Sequence, residues 1–254
     1  MRVKICGVTN VADARAAAEA GADFIGLIRA ASPRQVSVET ARAIAAALPP
    51  RACGVLVFRD APVSEVVAAV EQTGVRWVQL HGREPVADLR RLKAERPDVQ
   101  LIKAWEVHPA QAVPRVGNTP DAGGTTPAAH AAAETAEETA LGAAAAELAE
   151  YLAAARAAAV PLAVLILDAP KGGPHPGFAA LAALARTVTE RPPEVWCAGG
   201  LTPENVAAAC AAGPFDGVDV AGGVERAPGH KDAARVARFV AAVRGTQRPA
   251  AGDR

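Results

Sequence analysis

The sequence predicts an α/β fold, a single (β/α)8 TIM barrel with a flexible Ala/Pro/Gly-rich insertion after strand five. Three observations lead there. Short apolar, β-branched runs alternate with Ala-rich stretches of helical period eight times over, and a helix after every strand favours a parallel sheet. The strand runs are too uniformly apolar to show strict alternation, as expected of strands buried on both faces. The 254 residues, 51% of them hydrophobic, are enough for one large core and require no second domain. A doubly wound open sheet is the competing arrangement, and eight units favour closure.

The barrel unit spans 1–245. Val3-Lys4-Ile5 centres strand one at 2–6, and Asn10 marks the start of a helix over 10–20. Strand two lies at 22–28, and its helix, opened by Ser37, at 37–48. Gly54-Val55-Leu56-Val57 places strand three at 52–57, followed by a helix over 62–73 with Ser64 as its start signal. Strand four covers 75–80 and its helix 84–95; strand five covers 99–105. The fifth helix is expected at 141–158, strand six at 162–168, its helix at 178–190 and strand seven at 194–198. Thr202 then opens a helix over 202–212, with Pro203 at its first position. Strand eight at 215–220 and a helix over 230–243 complete the series, and 246–254 reads as a disordered tail.

Between Val107 and Leu141 the rhythm breaks. That stretch has scattered Pro and Gly, no aromatic residue and almost no large aliphatic, so it cannot bury enough apolar area to offset its ordering entropy. Residues 109 to about 127 read as a flexible insertion, reaching 140 unless the Ala-rich run from Ala128 lengthens the next helix. Passive expansion is favoured over a mobile lid.

Charge and cysteine usage exclude several classes. Basic and acidic residues balance at 27 each, so no global positive field favours nucleic acid or an anionic membrane. Met1-Arg2-Val3-Lys4 leads directly into a strand, and no apolar run approaches the roughly 20 residues that span a bilayer; the expected location is the cytoplasm. Cys6, Cys53, Cys197 and Cys210 lie far apart without a C-x-x-C pair, so neither a metal site nor a disulfide scaffold is expected.

Parallel barrels keep their chemistry where strands end. Cys6 closes the first strand run and Asp168 the sixth, each before a glycine-containing loop, which suggests an acid and a base. After strands seven and eight stand Ala198-Gly199-Gly200-Leu201 and Val220-Ala221-Gly222-Gly223. Adjacent glycines let successive backbone N–H groups converge on an anion, a helix N-terminus adds its dipole, and these two loops are the usual phosphate seat of a barrel. Gly199, Gly200, Ala221, Gly222 and Gly223 are the candidate phosphate binders.

Lys4-Ile5-Cys6-Gly7-Val8-Thr9, Ser32-Pro33-Arg34, Val78-Gln79-Leu80-His81-Gly82, Ala198-Gly199-Gly200-Leu201-Thr202-Pro203-Glu204-Asn205 and Gly217-Val218-Asp219-Val220, taken in order, resemble the phosphoribosylanthranilate isomerase family of tryptophan biosynthesis. The resemblance runs from strand one to helix eight and excludes the insertion. It implies an aldose–ketose isomerase, a cofactor-free and metal-free Amadori rearrangement of N-(5-phosphoribosyl)anthranilate, in a monomer or homodimer. The general base then maps onto Cys6 and the general acid onto Asp168, with Arg34 toward the anthranilate carboxylate and Gln79 and His81 at the substrate. A free thiol is mostly protonated at neutral pH, so the site is expected to lower the pKa of Cys6. His81 is expected to hold its loop by hydrogen bonds rather than to transfer protons.

Departures accompany the resemblance. The loop after Asp168 reads Gly172-Gly173-Pro174-His175-Pro176-Gly177, stiffer than the family's glycine-rich form. Ala221 and Gly222 stand where the family has serines, and Arg29, Phe58 and Trp105-Glu106 replace its usual residues after strands two, three and five; these last changes are expected on the rim facing the aryl group. Two alternatives stay open: a diverged paralogue isomerising another aminophosphoribose, and a non-catalytic barrel binding phosphate ligands. Indole-glycerol-phosphate synthase chemistry is disfavoured because Lys4 and Lys103 both fall inside strands.

Overall fold

The computed structural model describes residues 1–107, 127–169, 176–188 and 194–246, with backbone alone for 127–140. The insertion expected at 109–127 and the tail expected at 246–254 lie outside the described residues except for Pro127 and Thr246, as do Gly172, Gly173, Pro174 and His175.

Eight parallel strands close into a barrel in sequence order. They are β1 (Arg2–Cys6), β2 (Phe24–Ile28), β3 (Cys53–Phe58), β4 (Trp77–Leu80), β5 (Gln100–Glu106), β6 (Val164–Asp168), β7 (Glu194–Ala198) and β8 (Gly217–Val220). The intervening helices are α1 (Val11–Glu19), α2 (Val38–Ala47), α3 (Val63–Thr73), α4 (Val86–Glu95), α5 (Pro127–Ala157), α6 (Phe178–Thr187), α7 (Val206–Ala212) and α8 (Ala233–Gly245). Closure is made by β1 against β8, with Lys4 opposite Asp219 and Ile5 opposite Val220. The expected strands all form, each within about two residues of its predicted ends.

The uniformly apolar strands conceal a period of two, because both faces are dry. Val3 and Ile5, Ile25 and Leu27, Leu56 and Phe58, Leu165 and Leu167 pack outward under the helices. Phe24, Val55, Val57, Ile102, Val164, Ile166 and Trp196 point inward. Phe24 meets the Trp77 ring at 4.9 Å and the Trp196 ring at 5.1 Å. These aromatics plug the barrel near the start of β2 and β4, leaving the other end of the interior to polar side chains. The same alternation turns Cys6 and Lys4 inward on β1, and Asp168 inward on β6.

Asn10 and Ser37 cap α1 and α2 as expected, their side chains accepting from Asp13 N and Thr40 N. Two start signals are corrected. The cap of α3 is Pro62, and Ser64 lies inside the helix, since the chain enters the helical turn two residues earlier. Thr202 and Pro203 belong to a turn preceding α7, which starts at Val206: Asn205 is its cap, and the Asn205 side chain accepts from Thr202 N at 2.7 Å. The expected helix eight begins three residues late, behind the Asp232 cap, because residues 225–231 form an antiparallel hairpin, β9 (Glu225–Ala227) and β10 (His230–Lys231). Helix α5 starts at Pro127, so the Ala-rich run from Ala128 does lengthen it, as its strong helix-forming composition allows.

Candidate functional site

One cavity of about 480 Å3 opens at the end of the barrel where the strands terminate. Cys6, Asp168, Arg34 and His81 line it, and so do Gly199, Gly200, Ala221, Gly222 and Gly223. Gln79 is the one candidate that does not. It is fully buried on β4, and its Nε2 stands 2.9 Å from His81 Nδ1.

Cys6 ends β1 with 8% of its surface exposed. Two residues earlier on the same inward face, Lys4 is wholly buried, and its Nζ donates to Asp219 Oδ2 at 2.8 Å. Burial opposes the charge on Lys4, but Asp219 and Cys6 together hold its pKa above the ordinary lysine value. The expectation of a lowered thiol pKa is corrected: burial pushes the Cys6 thiol up, and the nearby Lys4 and Lys231 ammonium groups only partly offset it, with Asp219 adding to the rise. Asp219 also lines the cavity, and its Oδ1 has no hydrogen-bond partner among the described residues.

Asp168 ends β6 with 8% of its surface exposed. Its Oδ2 lies 3.1 Å from His81 Nε2. With the Gln79 amide donating to Nδ1, Nε2 is the ring nitrogen that faces Asp168. His81 also borders a second cavity of about 390 Å3, shared with Glu84, Lys103, Trp105, Glu106 and Tyr151. There Lys103 Nζ is held by Glu84 at 2.7 Å and by the Gly82 carbonyl at 2.6 Å. Buried and paired, Lys103 is not placed for chemistry at the main cavity.

The two candidate phosphate loops are shaped by glycine for two different reasons. Gly199 and Gly200 adopt φ of 91° and 60°, the left-handed region that side chains disfavour. Gly223 is needed for close approach, because a Cβ there would fall 1.9 Å from the Leu201 carbonyl oxygen, so the loops after β7 and β8 touch. Gly222 is different: the nearest atom to a Cβ there is Arg34 Nη2 at 3.7 Å. The second glycine pair lies within a 3-10 turn, Gly222–Val224, whereas after the first pair α7 starts only six residues beyond Gly200.

The departures at Arg29, Phe58 and Trp105 do not line the main cavity, which corrects their expected place on the aryl rim. Phe58 faces the helices, Arg29 turns away to donate to the Val36 carbonyl, and Trp105 packs on Tyr151 with ring centroids 5.3 Å apart. Ile28 and Val57 line the cavity in their stead. The four cysteines are all free thiols. Among the described residues no cluster of His, Cys, Asp or Glu is arranged for a metal ion, and no helix is long and apolar enough to cross a membrane.

Four further residues at the site belong to none of the candidate sets: Lys4, Asp219, Glu225 and Lys231. Lys4 had a usable signal, since a lysine two residues before Cys6 in a strand must share its face. Glu225 and Lys231 lie in a hairpin too short and polar to announce itself.

The family model described as N-(5'phosphoribosyl)anthranilate (PRA) isomerase matches residues 3–118 and 134–242. An N-(5'-phosphoribosyl)anthranilate isomerase of Symbiobacterium thermophilum is 36% identical over 248 residues, covering 98% of this chain and all of that one. A solved phosphoribosyl anthranilate isomerase from Thermus thermophilus superposes with a TM-score of 0.69 at 31% identity, covering 97% of this chain and 100% of the other. Another solved enzyme of that name, in complex with reduced 1-(o-carboxyphenylamino)-1-deoxyribulose 5-phosphate, gives a TM-score of 0.67 at 29% identity, covering 96% and 99%. With a family match running from β1 into α8 and broken only between 118 and 134, the chain belongs to the N-(5'-phosphoribosyl)anthranilate isomerase family.

Proposed function

We propose that this protein isomerises N-(5-phosphoribosyl)anthranilate to 1-(2-carboxyphenylamino)-1-deoxyribulose 5-phosphate in tryptophan biosynthesis, with Cys6 as general base and Asp168 as general acid. The observation that carries the reading is the sharing of one cavity by a thiol, a carboxyl group and two glycine loops. Backbone N–H groups of Gly199, Gly200, Gly222 and Gly223 receive the phosphate. Arg34 faces the ring carboxylate, which suits a planar guanidinium.

Chemistry proceeds between these two anchors. Asp168 delivers a proton to the furanose oxygen, the C1–O bond breaks, and the amine nitrogen lone pair forms the iminium. The Cys6 thiolate then takes the proton from C2, giving the enolamine. Gain of a proton at C1 and loss of the C2 hydroxyl proton complete the ketone, so the reaction is a net isomerisation. His81 keeps Asp168 oriented through the 3.1 Å contact of its Nε2 with Oδ2, which leaves Oδ1 to carry the acid proton. Gln79 fixes the His81 tautomer from below and reaches the substrate only through it. The raised thiol of Cys6 is a stronger base once ionised, and the Lys4 ammonium supplies the counter-charge that makes ionisation attainable.

Complementation tests this reading. The gene should restore growth without tryptophan to a bacterium lacking its phosphoribosylanthranilate isomerase, and the purified protein should turn over N-(5-phosphoribosyl)anthranilate. Tight binding of the reduced product analogue with no turnover would instead support a non-catalytic phosphate-ligand barrel.

A further inference from the structure

Arg34 does not reach the cavity as a loose loop cation. Its Nε donates to Glu225 Oε1 at 2.9 Å and Oε2 at 3.1 Å, and its Nη2 donates to Oε2 at 2.7 Å. Its aliphatic stem lies over Gly7, where a Cβ would fall 2.5 Å from Arg34 Cδ. Glu225 is 4% exposed at its side chain and accepts also from Lys231 Nζ at 2.7 Å and from Gly229 N at 3.2 Å. Lys231, itself 1% exposed at its side chain, directs its ammonium to the Cys6 carbonyl at 2.6 Å and the Ala221 carbonyl at 3.1 Å. The hairpin carrying both is tied to the loop after β1, where Thr9 Oγ1 donates to the Gly229 carbonyl at 2.6 Å.

We infer that Glu225 is a positioning residue for the isomerisation: it fixes the fork of Arg34 toward the ring carboxylate and, through Lys231, registers that fork against the Cys6 backbone and the phosphate loop. This rests on the reading of Arg34 as the aryl-carboxylate contact. Three substrate-facing regions, the loop carrying Arg34, the end of β1 and the turn after β8, hang from the buried Glu225–Lys231 pair. The cluster has two cations and one anion. Burial works against the charge on Glu225, but Arg34 and Lys231 outweigh it and hold its carboxyl below the ordinary glutamate range. One positive charge is therefore left over, in a cluster whose guanidinium lines the cavity. A dianionic phosphate at one end and a carboxylate at the other is the type of ligand that such an excess suits. Without Glu225, the buried Lys231 ammonium and the partly buried Arg34 guanidinium would repel one another and the long Arg34 side chain would be free to rotate.

The test compares two unreactive ligands, reduced 1-(o-carboxyphenylamino)-1-deoxyribulose 5-phosphate and its counterpart lacking the ring carboxylate. Wild-type protein should prefer the carboxylate form. In Glu225→Gln that preference should fall about tenfold or more, the scale of a hydrogen-bonded charge contact, with affinity for the carboxylate-free ligand nearly unchanged. In an Arg34→Met background the same change should have no further effect on the preference, because Glu225 acts through Arg34. If two unbalanced cations prevent Glu225→Gln from folding, Glu225→Asp carries the same comparison; it keeps the anion but shortens its reach, and should show a smaller loss of the same kind. An equal loss for both ligands in Glu225→Gln or Glu225→Asp, or a further loss in the Arg34→Met background, would overturn the inference in favour of a general structural role. No wild-type preference for the carboxylate would overturn the reading of Arg34 itself, and the inference with it.

Discussion

Cys6 and Asp168 are equally buried, each 8% exposed, but the two corners of the cavity are built differently. Cys6 has the Lys4–Asp219 pair on its own face and Lys231 on its carbonyl, so its surroundings are fixed by ionic contacts drawn from β1, β8 and the hairpin. Asp168 has His81 as its side-chain partner, 3.1 Å away, and Gln79 behind that. The comparison shows that burial alone does not assign an acid or a base. It raises the thiol, and the partners decide whether a proton can leave. In the proposed cycle the Cys6 corner has cations to support an anion, and the Asp168 corner has the His81 ring to orient a carboxyl group.

The sharpest way to break that contrast is Lys4→Met. It leaves Asp219 buried without its counter-charge, a change that costs about 3–5 kcal/mol, measurable by denaturant unfolding. It also removes the cation that opposes the rise of the thiol pKa, so alkylation of Cys6 should be slower at any pH below that pKa, about tenfold if the pKa rises by one. Because the wild-type thiol is already raised, its alkylation rate should keep climbing as pH rises past the ordinary thiol value of about 8.5. A plateau near neutrality would show that the protein lowers the thiol further than Lys4 and Lys231 do. Unchanged stability and alkylation in Lys4→Met would remove Lys4 from the base corner.

At the acid corner the expected effect is smaller. His81→Leu takes away an orienting contact with Asp168, so stability should change little while kcat falls about tenfold. A KM increase with kcat intact would instead place His81 on the substrate alone. Smaller again is Gly222→Val. A Cβ there meets only Arg34 Nη2 at 3.7 Å, so the fold should tolerate it, while inorganic phosphate should bind several-fold more weakly, about fivefold, if the N–H groups of this turn face the anion. Unchanged phosphate affinity would move the anion away from this turn.

The two corners are also unequally legible in the sequence. Runs such as Leu162 to Leu167 announce their strands by apolar composition, and Cys6, Asp168 and the glycine pairs stand at strand ends where a barrel keeps its loops, so the cavity's membership can be read before its shape. Charge pairing cannot. Lys4 and Asp219 are 215 residues apart, and Arg34 and Glu225 are 191 apart; only closure of β1 on β8 and the folding of a short hairpin bring them together. The direction in which the Cys6 pKa moves is hidden for the same reason, since it depends on how completely the closed barrel excludes water. Thr202 and Pro203 show a local limit: a Thr-Pro pair serves a turn as well as a helix start, and Asn205 decides between them by bonding back to Thr202.

Division of labour between the two corners is tested most directly by measuring turnover of N-(5-phosphoribosyl)anthranilate and affinity for the reduced product analogue in the wild-type protein, Cys6→Ala and Asp168→Ala together. Separate base and acid roles predict that each variant loses about 10² to 10⁴ in kcat while analogue affinity stays within a few-fold of wild type. Near wild-type turnover in either variant would contradict the assignment of that residue and, with it, the pairing of the two corners in one proton-transfer cycle.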